Sequence, residues 1–136
     1  MNMRAAEIEP NLTFLAKLGE YVLPAKLSFA ISVNFEELSK WHRHIDKERI
    51  RLLEGYADRD DDGEFVMIKT EDGQETYQLS DENLEAFRRE YGEFLEAELD
   101  VDLRIVGEEV LEQIDSNTKY TGLTVGEMAA LRFMVT

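Results

Sequence analysis

Cysteine is absent from this chain of 136 residues. That excludes disulfides and thiolate chemistry, and it suits a reducing compartment. Proline occurs twice, and no Pro-, Gly- or Ser-rich stretch marks a linker, so residues 1–136 are expected to form a single domain. Long apolar runs are also missing. The longest, such as Phe65–Ile68, extend for only a few residues, so no transmembrane span fits. The first twenty residues contain Glu7, Glu9 and Lys17 and lack an apolar signal core, so secretion is not expected. There is no phosphate-cradling glycine loop, no Gly-x-Ser-x-Gly elbow and no Cys nucleophile. The two histidines, His42 and His44, lie two positions apart on an expected helix and point to different faces, so they cannot share a metal. Carboxylate pairs are abundant enough to arise by chance, so none marks an acid–base dyad. The chain is therefore expected to be non-enzymatic and to need no cofactor.

What is abundant is negative charge. Thirty Asp and Glu face fifteen Lys and Arg, a net −15. The distribution is uneven. Residues 1–57 hold eight acids and eight bases, residues 58–102 seventeen acids and four bases, and residues 103–136 five acids and three bases. The middle segment therefore carries −13 of the total. Such a surface repels nucleic acid and anionic membrane and attracts a basic protein, although acids also serve simply to keep a small protein in solution.

The remaining composition supports a folded domain, with 43% apolar residues. Residues 3–8 read as a short strand or an irregular lead-in. Pro10 and Asn11 open a first helix carrying Leu12, Leu15, Leu18 and Val22. Pro24 ends it and begins a long second helix over about 24–56, whose stripe contains Leu27, Ile31, Leu38, Ile45 and Leu52. Thirty-odd residues span about 50 Å, so this helix is expected to bend, to break near Asn34, or to extend into a helical hairpin or a dimer seam. A β-hairpin follows over about 65–79. With Asp72-Gly73 as a two-residue loop, Ile68 faces Tyr77 and Val66 faces Leu79. Ser80 caps a third helix running to about Glu98, with Leu84, Phe87, Tyr91, Phe94 and Leu95 inside. Alternation of Val101, Leu103 and Ile105 predicts a short extra strand over about 101–105. A short helix over 107–114 and a last helix opened by Thr124 and Glu127 complete an α+β fold in which helices dominate.

Three candidate sites emerge. Asp58-Arg59-Asp60-Asp61-Asp62-Gly63 matches the first half of a calcium-binding EF-hand loop. The twelfth position, however, is Lys69 rather than glutamate, and the next residues read as strand. The segment therefore reads first as a turn, with weak calcium binding as the alternative. The acidic face gathers Asp60, Asp61, Asp62, Glu82, Glu85, Glu93, Glu96, Asp100 and Asp102, which could meet a basic partner or imitate a phosphate backbone. Leu38, Trp41, Ile45 and Leu52, on the long helix, are the candidates for self-association, and a homodimer is expected. Direct binding to nucleic acid or membrane is not.

The order of the chain also resembles that of small uncharacterised proteins encoded in phages and prophages of Gram-positive bacteria. The likeness rests on Leu23-Pro24-Ala25-Lys26-Leu27-Ser28-Phe29 and on the charged helix ending Glu48-Arg49-x-x-Leu52-Leu53-Glu54-x-Tyr56. It continues through the Asp-Asp-Asp-Gly turn, Ala97-Glu98-Leu99-Asp100-Val101-Asp102-Leu103 and the closing Leu131-x-Phe133-Met134. It covers about residues 20–135. The resemblance implies a cytoplasmic setting in a bacterial host and a phage-linked accessory or assembly role. It carries no active site.

Overall fold

The computed structural model describes all 136 residues. In chain order the elements are β1 (Asn2–Arg4), α1 (Ala5–Leu18), α2 (Ala25–Tyr56), β2 (Met67–Lys69), β3 (Glu75–Tyr77), α3 (Asp81–Leu95), β4 (Glu98–Asp100), α4 (Glu109–Ser116) and α5 (Val125–Ala130). A 3₁₀ turn follows at Leu131–Phe133. The fold is α+β and mostly helical, with two separate two-stranded antiparallel sheets, β1–β4 and β2–β3. The chain divides into two compact units, residues 1–42 with 98–136, and residues 43–97. No helix is long and apolar enough to cross a membrane.

The first unit holds most of the core. Ile8, Leu15 and Leu18 of α1, Leu27, Ala30, Ile31 and Leu38 of α2, Val110 and Ile114 of α4, and Leu131 and Met134 are all buried. Helix α1 starts five residues before the expected Pro10 and contains it. The cause is local. The Glu7 carboxylate accepts the Arg4 backbone N–H at 2.9 Å, and Ala5 and Ile8 are drawn into the core. Pro10 sits on the exposed side of the helix, where it forgoes one backbone hydrogen bond. Helix α2 is continuous from Ala25 to Tyr56, with no break at Asn34.

Asn34 is fully buried and works as a surrogate backbone. Its Oδ1 accepts the Arg104 N–H at 2.7 Å, and its Nδ2 donates to the Arg104 carbonyl at 3.0 Å. Three residues on, Glu37 accepts the Asp102 N–H at 2.7 Å. These bonds correct the strand expected at 101–105. The backbone of 102–104 is satisfied by side chains of α2, not by a ladder. The strand lies three residues earlier, at Glu98–Asp100, where Met3 pairs with Leu99. At the far end, Val106 forms a parallel bridge with Val135.

In the second unit, the hairpin occupies the expected stretch but its register differs by one residue. Met67 pairs with Tyr77, Ile68 with Thr76 and Lys69 with Glu75. Thr70 donates to the Gln74 carbonyl at 2.8 Å, so the loop is Glu71-Asp72-Gly73, three residues long. A two-residue I′ loop needs positive φ at both Asp72 and Gly73, and only Gly73 has it, at +83°. A shift of one residue turns every side chain over. Phe65 and Tyr77 therefore share a face, edge to ring at 5.2 Å, while Ile68 is left exposed beside Thr76.

The Asp-rich turn has the same construction. Asp60 donates to the Glu64 carbonyl at 2.8 Å, Gly63 donates back to the Asp60 carbonyl at 3.0 Å, and Gly63 has φ +82°. Asp60-Asp61-Asp62-Gly63-Glu64 and Thr70-Glu71-Asp72-Gly73-Gln74 are thus two copies of one turn, ten residues apart. The three segments leading into and out of them close a ring of backbone bonds. Asp58 donates to Gln78, Gln78 to Val66, and Val66 to Asp58, at 2.8, 2.9 and 3.0 Å.

Candidate functional site

The acidic surface of the second unit begins at its first turn. The Asp60 carboxylate accepts the backbone N–H groups of Asp62 and Glu64 at 2.9 and 3.0 Å, which fixes the turn. Asp61 and Asp62 point outward from this frame and are exposed. No group of three or more His, Asp or Glu side chains lies close enough to hold a metal ion. Asp, Asp and Gly recur because the turn needs an Asx bond and one left-handed residue.

Helix α3 carries the rest of this surface. The Ser80 hydroxyl caps it by accepting the Asn83 N–H at 3.2 Å, and Asp81 and Glu82 complement the positive end of the helix dipole. Inside, Phe87 stacks on Tyr91 at 5.6 Å and Tyr91 on Phe94 at 6.3 Å. Anchoring that side fixes Glu82, Glu85, Glu93 and Glu96 on the outside. Arg88 and Arg89 interrupt this outer stripe. Glu90 is used internally. It accepts the Tyr56 hydroxyl at 2.8 Å, which raises the Tyr56 pKa.

All nine expected acids are exposed, but the structure does not gather them in one unit. Asp60, Asp61, Asp62, Glu82, Glu85, Glu93 and Glu96 belong to residues 43–97, whereas Asp100 and Asp102 belong to the other unit. Asp100 lies 3.4 Å from the Met1 amino group. The second unit carries seventeen acids and eight bases, a net −9, and the first a net −6. Four of those eight bases, Arg43, Lys47, Arg49 and Arg51, lie on the distal half of α2. A window ending at residue 57 conceals them by averaging them with the acids of the first unit.

The expected self-association residues occupy a different environment. Leu38 is 0% exposed, and Ile45 and Leu52 are each 7% exposed. Trp41 is half-buried and donates its indole N–H to Glu37 at 3.3 Å. The three aliphatic side chains are covered within the single chain, so they cannot also form a seam with a second one. The apolar stripe that suggested a seam is the helix's own core face.

One cluster was only half legible in the sequence. Glu127, 7% exposed, closes a capping box with Thr124. Its carboxylate accepts the Thr124 N–H at 2.9 Å, and its own N–H donates to the Thr124 hydroxyl at 3.1 Å. Thr124-x-x-Glu127 signalled that much. Nothing local signalled that Tyr21, more than a hundred positions earlier, donates its hydroxyl to Glu127 at 2.7 Å, or that Lys17 lies 3.4 Å away. Donation from the Thr124 backbone, then from Tyr21 and Lys17, holds the Glu127 pKa down at about 2. An acid kept ionised in this way cannot deliver a proton near neutrality. The cluster acts as a clamp between the end of α1 and the start of α5. Glu37 is likewise lowered, first by the Asp102 N–H and then by Lys40 and Trp41.

A scan of protein-family models and searches of curated proteins and of solved structures found no match to this chain.

Proposed function

We propose that this protein is a non-catalytic binding factor whose residues 43–97 present an acidic surface to a basic protein partner. One observation carries the reading. Asp61, Asp62, Glu82, Glu85 and Glu93 are exposed on hydrogen-bonded turns and a capped helix, and they take part in none of the close ion pairs that use up Asp46, Glu48 and Glu37. Carboxylates left unpaired on a unit of net −9 keep their field for an outside partner. The resemblance to phage and prophage proteins adds a bacterial cytoplasmic setting and an accessory or assembly role.

The test is affinity capture from a bacterial lysate at about 0.1 M and 0.5 M salt, repeated with Glu82, Glu85 and Glu93 changed to Gln. A basic partner held at low salt, released at high salt and lost with the triple variant supports the reading. Capture that ignores both changes overturns it. If the captured protein is a nucleic-acid binder and duplex DNA displaces it, the acids are acting as a phosphate mimic.

A further inference from the structure

We infer that residues 102–106, with the groove between them and the start of α2, receive an extended acidic segment of a partner protein as an added strand. The side chains of α2 and the end of the chain hold this backbone at alternate residues only. The Asp102 N–H goes to Glu37, the Arg104 N–H and carbonyl to Asn34, and the Val106 N–H and carbonyl to Met134 and Thr136. The N–H and carbonyl groups of Leu103 and Ile105 make no hydrogen bond within the chain. Bonding at every second residue is the pattern of an edge strand, whose other residues turn their backbone groups outward. The alternation of Val101, Leu103 and Ile105 therefore belongs to a strand that has no neighbouring strand on that side.

The groove beside it has a volume of about 500 Å³ and is walled by Lys26 and Phe29 of α2 and by Arg104, Ile105 and Val106. Its edges are apolar and cationic together. Phe29 is 56% exposed and Ile105 43%, and the Arg104 guanidinium stands 5.1 Å over the Phe29 ring. The charge is unspent. Among the other bases of residues 1–42 and 98–136, Arg4, Lys17, Lys40 and Arg132 each have a carboxylate at ion-pair distance, and Lys119 lies over Tyr120. Lys26 and Arg104 have no such carboxylate. Glu109 also lines the groove, but its carboxylate folds against Gly107. Two unpaired cations beside exposed apolar side chains, in a unit of net −6, complement carboxylates set next to bulky apolar residues.

The backbone decides between a peptide and a small organic acid. A small acid in so open a groove leaves much of its surface in water, whereas ligand pockets cover most of theirs. It also has no use for the paired donors and acceptors of Leu103 and Ile105, which are what an added strand binds. Every residue involved belongs to residues 1–42 and 98–136, so the inference stands apart from the acidic surface of residues 43–97 and its basic partner.

The test is amide NMR of the isotope-labelled chain, titrated with the end-blocked peptide Asp-Phe-Glu-Val-Asp-Leu-Glu to about 1 mM. The amides of Lys26, Phe29 and residues 103–107 should shift, and those of Leu103 and Ile105 should move downfield as they gain acceptors. K26E/R104E should bind at least about tenfold more weakly. R43E/K47E brings the net charge from −15 to the same −19 within the other unit, and should bind as the native chain does. Circular dichroism confirms that both variants are folded. Because a strand bonds through every second residue, N-methylation of one alternate set of peptide residues should abolish binding and N-methylation of the other should not. No shift at residues 103–107, equal losses in the two variants, or equal affinity for the two methylated peptides each overturns the inference. So does phenylbutyrate binding as tightly as the peptide, which makes the groove a site for small acids. Self-association that competes with the peptide overturns it as well, since a second copy is then the occupant.

Discussion

The two units of this protein are stabilised in different ways. Of twenty buried apolar residues, seventeen lie in residues 1–42 and 98–136. Only Ile45, Leu52 and Phe87 lie in residues 43–97. The first unit is a packed core threaded by buried polar bonds, chiefly those of Asn34 and Glu127. The second has little core. It depends on paired turns, a ring of backbone bonds, stacked aromatics and the Arg59 guanidinium 4.0 Å over the Phe65 ring. Hydrophobic burial resists opening far more than exposed backbone bonds do, so the acidic unit should be the less protected of the two against hydrogen exchange.

The largest expected effect tests the core itself. Leu38→Ala should destabilise the first unit by about 2–5 kcal/mol, measured by urea unfolding, as for a fully buried leucine. Loss of self-association with unchanged stability would instead restore Leu38 to an intermolecular seam. Next, Asn34→Ala strands the N–H and carbonyl of Arg104 and should lose about 1–3 kcal/mol. Exchange of the Arg104 amide should accelerate while the amides of α3 are unaffected.

Part of the acid response should belong to the first unit, through Glu127. The Glu127 pKa is lowered from its ordinary 4.5 to about 2, so its contribution is complete above pH 4.5 and is lost as the pH falls toward 2. Glu127→Gln keeps a residue able to form the capping box but removes the charge. It should therefore flatten this acid limb in a thermal-denaturation series from pH 6 to pH 2, and an unchanged slope would discard the clamp. The smallest effects are expected in the second unit. Gly63→Ala and Gly73→Ala force an alanine into φ near +82° and +83°, and each should lose about 1–2 kcal/mol. Because the two turns share one design, the losses should be nearly equal. A clear difference would show that only one of them carries the unit.

Much of this was legible where the chemistry is local. Ser80 caps α3 and Thr124 with Glu127 opens α5 as expected, because a cap is a bargain between residues three apart. The long α2 was readable from its stripe, and the hairpin from Asp-Gly between two β-rich runs. The hairpin register was not, because Asp72-Gly73 fits both a two-residue loop and the tail of a three-residue one, and the choice rests on the φ of Asp72. The strand at 98–100 escaped notice because its partner lies at the other end of the chain, whereas the alternation just beyond it was visible and misleading. The acids of the candidate surface could be recognised one by one. Their division between two units could not, nor could the basic stripe on α2, since a running charge sum cancels cations on one helix face against acids elsewhere.

The bond between Asn34 and Arg104, seventy positions apart, also sets a timetable. The first unit is written in two instalments, with all of residues 43–97 between them. On a ribosome adding about 5–20 residues per second, α1 and the start of α2 wait several seconds for the segment that covers them. The acidic unit, continuous in sequence, can form in that interval. The strand β1 emerges among the first residues and gains its partner β4 only after it. Until then, the apolar sides of α1 and the start of α2 are without the C-terminal segment that covers them.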